Sequence, residues 1–290
     1  MAETAVPKVV PSVPTGEPVD LTRPHFVGIG GTGMLPVARV CAERGFAVSG
    51  SDVGASEQVK NLARLGVTVR TGHAAEHLPA DATALVFTHA IAPDNPEILA
   101  ARERGVPVVH RSAALSALMA GHKAVGVLGT HGKSSTAGML AVTLSRMGQN
   151  PSYMVGADLE EPGSGGRAGG ESGLFVAEID ESDRTLLGVG VGVGVDVAVV
   201  TNIGYDHPEN YARPVDYLGV FEEFVRGLGP DGIVVLNADS PGCRELESRL
   251  RDGDSSPARR KKPTMSGSPY AIPTSRSSTR IRQPPSSAGG

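Results

Sequence analysis

The sequence predicts an α/β protein made of two consecutive units, each a mostly parallel sheet with helices on both faces, between two ends that carry no core. Three observations support this. From Thr22 onward, apolar β-type runs alternate with helical patterns, the signature of parallel strands joined through helices. Two of those runs lead into glycine-rich loops that each open a helix, "GIGGTG" after the first strand and "GTHGKSST" far downstream. At 290 residues the chain has room for two cores, and its apolar content of 40% with no Trp suits sheets built from Val, Ile, Leu and Ala.

Residues 1–20 are rich in Pro and small residues and are expected to be a disordered lead-in. The first unit, 21–121, holds strands at "HFVGI", "FAVSGS", "VTVR", "ALVFT" and "VPVVH". Asp94-Asn95-Pro96 starts one of its helices and Gly105 stops it; Ser112 is expected to cap the next, which Gly121 stops. The second unit, 122–248, holds strands at "KAVGVL", "GLFVAEI", "DVAVVTNI" and "GIVVLN". Its first helix is expected to end at Gly148, with Met139, Leu140, Val142 and Leu144 in its apolar set. The run "GVGVGVGVD" (188–196) alternates Gly and Val, and is read as irregular or as a weak strand extension. From Arg249 the chain turns to Ser, Pro, Arg, Lys and Gly, and is expected to be a disordered basic tail.

That tail holds nine basic and two acidic side chains, so the formal net charge of −4 conceals an acidic body. An acidic body argues against a nucleic-acid partner. Cys41 and Cys243 form neither a disulfide framework nor a zinc pattern. No apolar run is long enough to span a membrane, and the first residues lack a basic segment followed by an apolar one, so a cytoplasmic location is expected.

The first loop, Gly28-Ile-Gly30-Gly31-Thr-Gly33, fits G-x-G-x-x-G between a strand and a helix. Gly28 permits the tight turn, Gly30 lets the backbone approach a phosphate, and Gly33 lets helix pack on strand, as in a Rossmann-like unit. Pro36 is tolerated in the first helical turn. Asp52 follows a second strand, where a carboxylate can reach a ribose hydroxyl. Alone, this motif points to NAD or FAD. A dinucleotide-dependent dehydrogenase, however, leaves the second loop unexplained.

The second loop, Gly129-Thr130-His131-Gly132-Lys133-Ser134-Ser135, has a P-loop ending, with Val127 where the usual spacing has Gly. Its backbone N–H groups suit phosphate oxygens, Lys133 the β- and γ-phosphates, and Ser134 a Mg²⁺ ion. Acidic and histidine residues follow at strand ends: Glu178, Asp180, Glu181 and Asp183 in "EIDESD", and Asp206 and His207 in "TNIGYDH". That edge is where doubly wound sheets bind ligands. On chemistry alone these residues read equally well as Mg²⁺ ligands and as ordinary polar loop ends.

Taken in order, "GIGGTGM", "GSD", "THAIAPDNPEI", "GVPVVHR", "GTHGKSST", "EIDESD" and "TNIGYDH" closely resemble the Mur ligases of peptidoglycan synthesis, from about Pro24 to Leu246. The Gly129-Thr130 start of the second loop is the form that family uses. The resemblance implies a Rossmann-like UDP-binding domain followed by part of a P-loop ATPase-type domain. It implies an ATP- and Mg²⁺-dependent ligase acting through an acyl phosphate. "HGKSS", "DESD" and "DHPENY" are most similar to the members that join L-alanine to UDP-N-acetylmuramate; those that recycle murein tripeptide are expected to carry a bulky aromatic in place of Ser182.

By the same resemblance, Gly28, Gly30, Gly31, Gly33 and Asp52 contact UDP, and residues 129–135 hold ATP with Lys133 as the γ-phosphate clamp. Ser134 and Glu178 are Mg²⁺ ligands, and His207 helps hold a second Mg²⁺ beside the acyl phosphate. Gly204 departs from the pattern, which has Glu there. The family's later H-x-x-N-x-x-A-A segment and C-terminal domain have no counterpart. A truncated or frame-shifted reading frame has this form, and so does a short paralogue. The chain is therefore expected to bind the UDP-sugar and to ligate poorly by itself, or to act as a binding module without ligase chemistry.

Overall fold

The computed structural model describes residues 19–54, 56–160, 164–170, 172–182, 186 and 194–252. Most of the expected lead-in, Asp183, most of the Gly/Val alternation and the tail from 253 lie outside the described residues.

The first sheet contains β1 (Pro24–Val27), β2 (Ser49–Asp52), β3 (Thr68–Thr71), β4 (Ala84–Phe87) and β5 (Val108–His110). They run parallel in the order β3-β2-β1-β4-β5. The helices are α1 (Leu35–Glu43), α2 (Glu57–Arg64), α3 (Pro96–Glu103) and α4 (Arg111–Met119). β1 and β4 are fully buried, as their apolar runs require of central strands covered on both faces. The order reverses between β1 and β4, which opens a crevice beyond their carboxyl ends.

The second sheet contains β6 (Lys123–Leu128), β7 (Ser152–Met154), β8 (Gly166–Arg167), β9 (Leu174–Glu178), β10 (Val197–Val200) and β11 (Ile233–Leu236). Its order is β11-β10-β6-β9-β7-β8, parallel except for β8. With it pack α5 (Lys133–Arg146), α6 (Pro214–Arg226) and α7 (Pro241–Asp252). Helix α7 runs on to Asp252, past the expected start of the tail at 249.

The nine strands read from the sequence all appear, but β7 and β8 do not announce themselves there. Both are short, and the second unit's contact with α1 holds them: a Cβ on Gly166 would lie 2.6 Å from the Pro36 carbonyl oxygen, and the Ala168 N–H donates to Glu43 at 2.8 Å. A single apolar cluster runs through both units, from Phe26 and Leu118 to Phe175 and Phe221. Both cysteines are buried free thiols, and burial pushes Cys41 up to about 12.

Two helix expectations are corrected. Asn95 caps α3 by accepting from the Glu97 N–H, and Gly105 ends it at positive φ. Ser112, in contrast, lies inside α4; the cap is His110, whose ring nitrogen takes the Ser112 N–H. In α5 the buried residues are Ala137, Gly138 and Ala141, while Met139 is 64% exposed. The cause is close approach: a Cβ on Gly138 would stand 2.8 Å from Leu159. Small residues therefore form the contact, and Leu140 and Leu144 fill only its margins.

Candidate active site

β1 ends at Gly28, whose φ of +73° makes the turn that glycine allows without strain. The N–H groups of Gly28 and Ile29 both bond to the Ser51 carbonyl, tying the loop to β2. Asp52 then reaches back: its Oδ2 accepts the Gly30 N–H at 2.8 Å and its Oδ1 the Gly54 N–H at 3.0 Å. The carboxylate expected to meet a ribose and the glycine expected to approach a phosphate are thus engaged with each other. Gly31 donates to the Gly28 carbonyl, and Gly33 lies under Arg111 rather than against a strand.

The second loop follows β6. Gly129 has φ +130°, and a Cβ there would stand 2.2 Å from Thr201 Oγ1 and 2.7 Å from the Asn202 carbonyl oxygen. Asn202 closes the loop by accepting from the Thr130 N–H with its backbone and from the His131 N–H with its side chain. Gly132 is left-handed and starts α5, with Ser135 exposed in the first turn. Gly129→Ala is therefore expected to cost about 1–3 kcal/mol through strain and the Thr201 clash. A lower thermal midpoint with a wild-type secondary-structure spectrum checks this, and an unchanged midpoint contradicts it.

Lys133 points at carbonyls of its own loop and at Glu181. Its Nζ lies 2.8 Å from Gly129 O, and 3.1 and 3.0 Å from the two oxygens of Glu181. Glu181 is fully buried, and burial pushes its carboxyl above the ordinary range although the Lys133 charge pulls it down. Tyr217 of α6 donates to Glu181 Oε1 at 3.1 Å and lies 2.9 Å from Thr130 Oγ1. Burial also pushes the Tyr217 hydroxyl up, so it remains a donor. Sequence reasoning set Glu181 only among the acidic strand-end residues and gave Tyr217 no role. Tyr217 falls on the apolar face of an amphipathic helix, and nothing in that pattern separates it from core.

Ser134 Oγ donates to Glu178 Oε1 at 3.0 Å, and the other Glu178 oxygen accepts the Gly156 N–H at 2.6 Å. A hydroxyl and a carboxylate side by side at the foot of a phosphate loop are the hard oxygen donors Mg²⁺ takes when nucleotide phosphates complete its shell. His207 sits at φ +55°, with Nδ1 3.1 Å from Glu209 and Nε2 3.9 Å from Glu181. It is thus beside the Lys133–Glu181 pair rather than against Glu178. No group of three or more His, Cys, Asp or Glu among the described residues forms a metal cluster by itself. At Gly204 a Cβ would meet nothing within 4 Å, so the departure from Glu is one of charge and not of space.

A cleft of about 600 Å³ opens at the first loop, on the side that faces the second unit. Gly28, residues 30–34 and Asp52 line one side, Thr88–Ile91 beyond β4 another, and Gly156, Glu178 and Asp180 of the second unit the third. Through Glu178, bonded to Ser134, and Asp180, 3.8 Å from Lys133 Nζ, the cleft reaches the edge of the second loop.

Comparison with known proteins agrees with this geometry. Residues 23–123 match the model of the Mur ligase family catalytic domain, and 127–256 that of the Mur ligase middle domain. A UDP-N-acetylmuramate–L-alanine ligase of Streptomyces griseus is 49% identical over 82% of this chain and 50% of its own length. The chain spans about half the length of the curated relatives it matches. The crystal structure of a UDP-N-acetylmuramate–alanine ligase from Thermotoga maritima matches with a TM-score of 0.67 and 30% identity, over 79% of this chain and 51% of that one. A UDP-N-acetylmuramate:L-alanyl-γ-D-glutamyl-meso-diaminopimelate ligase from Neisseria meningitides matches at 0.69 and 27%, over 79% and 75%. Two consecutive domain matches, over residues 23–123 and 127–256, place the chain in the Mur ligase family.

Proposed function

We propose that the chain carries the sugar-nucleotide and ATP sites of a cytoplasmic ligase joining L-alanine to UDP-N-acetylmuramate. The observation that supports this most is the cleft at the first glycine loop, whose far side is formed by Glu178 and Asp180, the carboxylates beside Ser134 and Lys133. In the proposed reaction the lactyl carboxylate of UDP-N-acetylmuramate takes the γ-phosphoryl group of ATP, giving an acyl phosphate and ADP. The amine of L-alanine then attacks the acyl carbon through a tetrahedral intermediate, and phosphate leaves as the amide forms.

Such a transfer needs positioning and charge neutralisation more than covalent help. The backbone of 129–135 cradles the ATP phosphates, and Lys133 exchanges its hold on the loop carbonyls for the γ-phosphate. Ser134 and Glu178 would hold Mg²⁺, which would neutralise charge on the transferring phosphoryl group. His207, beside the Lys133–Glu181 pair, would help hold a second Mg²⁺. The first loop and Asp52 hold the UDP end as a handle. Ser182, whose hydroxyl donates to Asp180 at 2.7 Å, supports the alanine-adding reading over the tripeptide one.

ADP release measured with UDP-N-acetylmuramate, ATP and L-alanine tests the reading. Release that requires the UDP-sugar supports it, even if slow. Tight UDP-N-acetylmuramate binding with no ATP binding and no ADP release would leave a sugar-nucleotide-binding module instead.

A further inference from the structure

We propose that Arg111 is the cation that grips the diphosphate of the sugar nucleotide, and that residue 33 is glycine in order to seat it. The inference rests on the reading of the cleft as a UDP-sugar site, and it names a residue that the glycine-loop pattern does not contain.

The argument starts from charge. Three carboxylates line the cleft, those of Asp52, Glu178 and Asp180, and Arg111 is the one Lys or Arg among its described lining residues. A diphosphate does not enter a cleft of that composition without a cation to offset it. Several backbone donors of the loop are engaged as well. The N–H groups of Gly28, Gly30, Gly31 and Met34 are already bonded, to Ser51 O, Asp52 Oδ2, Gly28 O and Gly31 O respectively.

Geometry supplies the rest. Arg111 opens α4 directly beyond β5, and its side chain, 13% exposed, reaches across to the first loop. Nη1 occupies the space of an absent side chain: a Cβ on residue 33 would lie 1.8 Å from it and 2.7 Å from Cζ. Nη2 stands 3.5 Å from Asp180 Oδ2, a contact that tethers the planar guanidinium in the cleft. Asp180 is in turn 3.8 Å from Lys133 Nζ, so the same chain of charges joins the two loops.

Titration of the full chain with UDP by calorimetry tests this. Wild-type protein is expected to bind UDP; if it does not, the UDP-sugar reading itself fails. Arg111→Ala is expected to weaken UDP about 10–100-fold, the loss typical of a charge-assisted hydrogen bond, with ATP affinity unchanged. Gly33→Ala is expected to bring a similar loss at a wild-type melting temperature, because what it displaces is the end of a flexible side chain. The double variant should be no weaker than Arg111→Ala by itself. Wild-type UDP affinity in Arg111→Ala would overturn the proposal while leaving the UDP-sugar reading intact. So would a loss confined to UDP-N-acetylmuramate with UDP unaffected, which would put the guanidinium on the lactyl carboxylate. Additive losses in the double variant would overturn the seating role of Gly33.

Discussion

Replacing Lys133 by Met is expected to lower folding stability by about 3–5 kcal/mol as well as to abolish useful ATP binding. The stability loss comes from what the ammonium leaves behind. Glu181 is fully buried, and Lys133 is the cation within hydrogen-bond reach of both its oxygens. Without that partner the carboxylate keeps, among the described residues, the Tyr217 hydroxyl, a backbone N–H and a distant His207. Burial has already pushed this carboxyl above its ordinary value of 4.5, so in the variant it takes up a proton more readily still. A carboxyl whose folded pKa is raised costs stability as pH rises through that value and costs nothing below the unfolded one. The deficit of Lys133→Met should therefore shrink as pH falls toward 4.5. Adding Glu181→Gln should recover most of the stability at neutral pH and none of the ATP affinity. Urea midpoints across pH, with ATP titrations of both variants, separate the two effects. A single variant as stable as wild type at pH 7 would show that the pair does not support the fold.

This double duty of Lys133 marks where sequence reading reached and where it stopped. The loop, its strand and its helix follow from local signals: an apolar run, glycines at the turn, and a helical pattern after Lys133. The sheet order follows in part from the same alternation, because parallel strands must be joined through helices. Pairing across long separations is not local. Glu181 stands 48 positions from Lys133 and Tyr217 another 36 beyond it, and no period or spacing links them. Arg111 is likewise a residue after a strand until the fold lays it over Gly33. The α5 contact was misread for a related reason: large apolar side chains signal a buried face, whereas closeness to Leu159 selects Gly138 and Ala141. Ser112 was misread as a cap because a serine ahead of an apolar run is a common signal, and a histidine ring doing the same task is not.

A second long-range cluster carries the other large effect. Glu97, fully buried at the start of α3, takes three side-chain contacts: His25 Nε2 at 2.6 Å, Ser51 Oγ at 2.7 Å and His73 Nδ1 at 2.8 Å. These draw together β1, β2 and the segment after β3, directly beneath the loop that Ser51 and Asp52 hold. Burial would raise the Glu97 carboxyl, but the hydrogen bonds from His25, Ser51 and His73, together with the charge on His25, outweigh it and hold the carboxyl below 4.5. A depressed carboxyl contributes stability that is complete above its unfolded value and is lost as pH falls through its folded one. Glu97→Gln keeps the shape but puts an amide N–H₂ where one of these donors needs an acceptor. The expected cost at pH 7 is about 2–4 kcal/mol, within the range for breaking a buried charged network. The variant should also lose less stability than wild type when the pH drops below 4.5, because it has no proton to take up at this site. Since Ser51 carries the carbonyl that binds Gly28 and Ile29, UDP affinity should fall in step, with ATP affinity spared. Urea unfolding at pH 7 and pH 4, with UDP titration at pH 7, measures all three. Parallel pH profiles for variant and wild type would show that Glu97 is not the group whose protonation unlocks the first sheet.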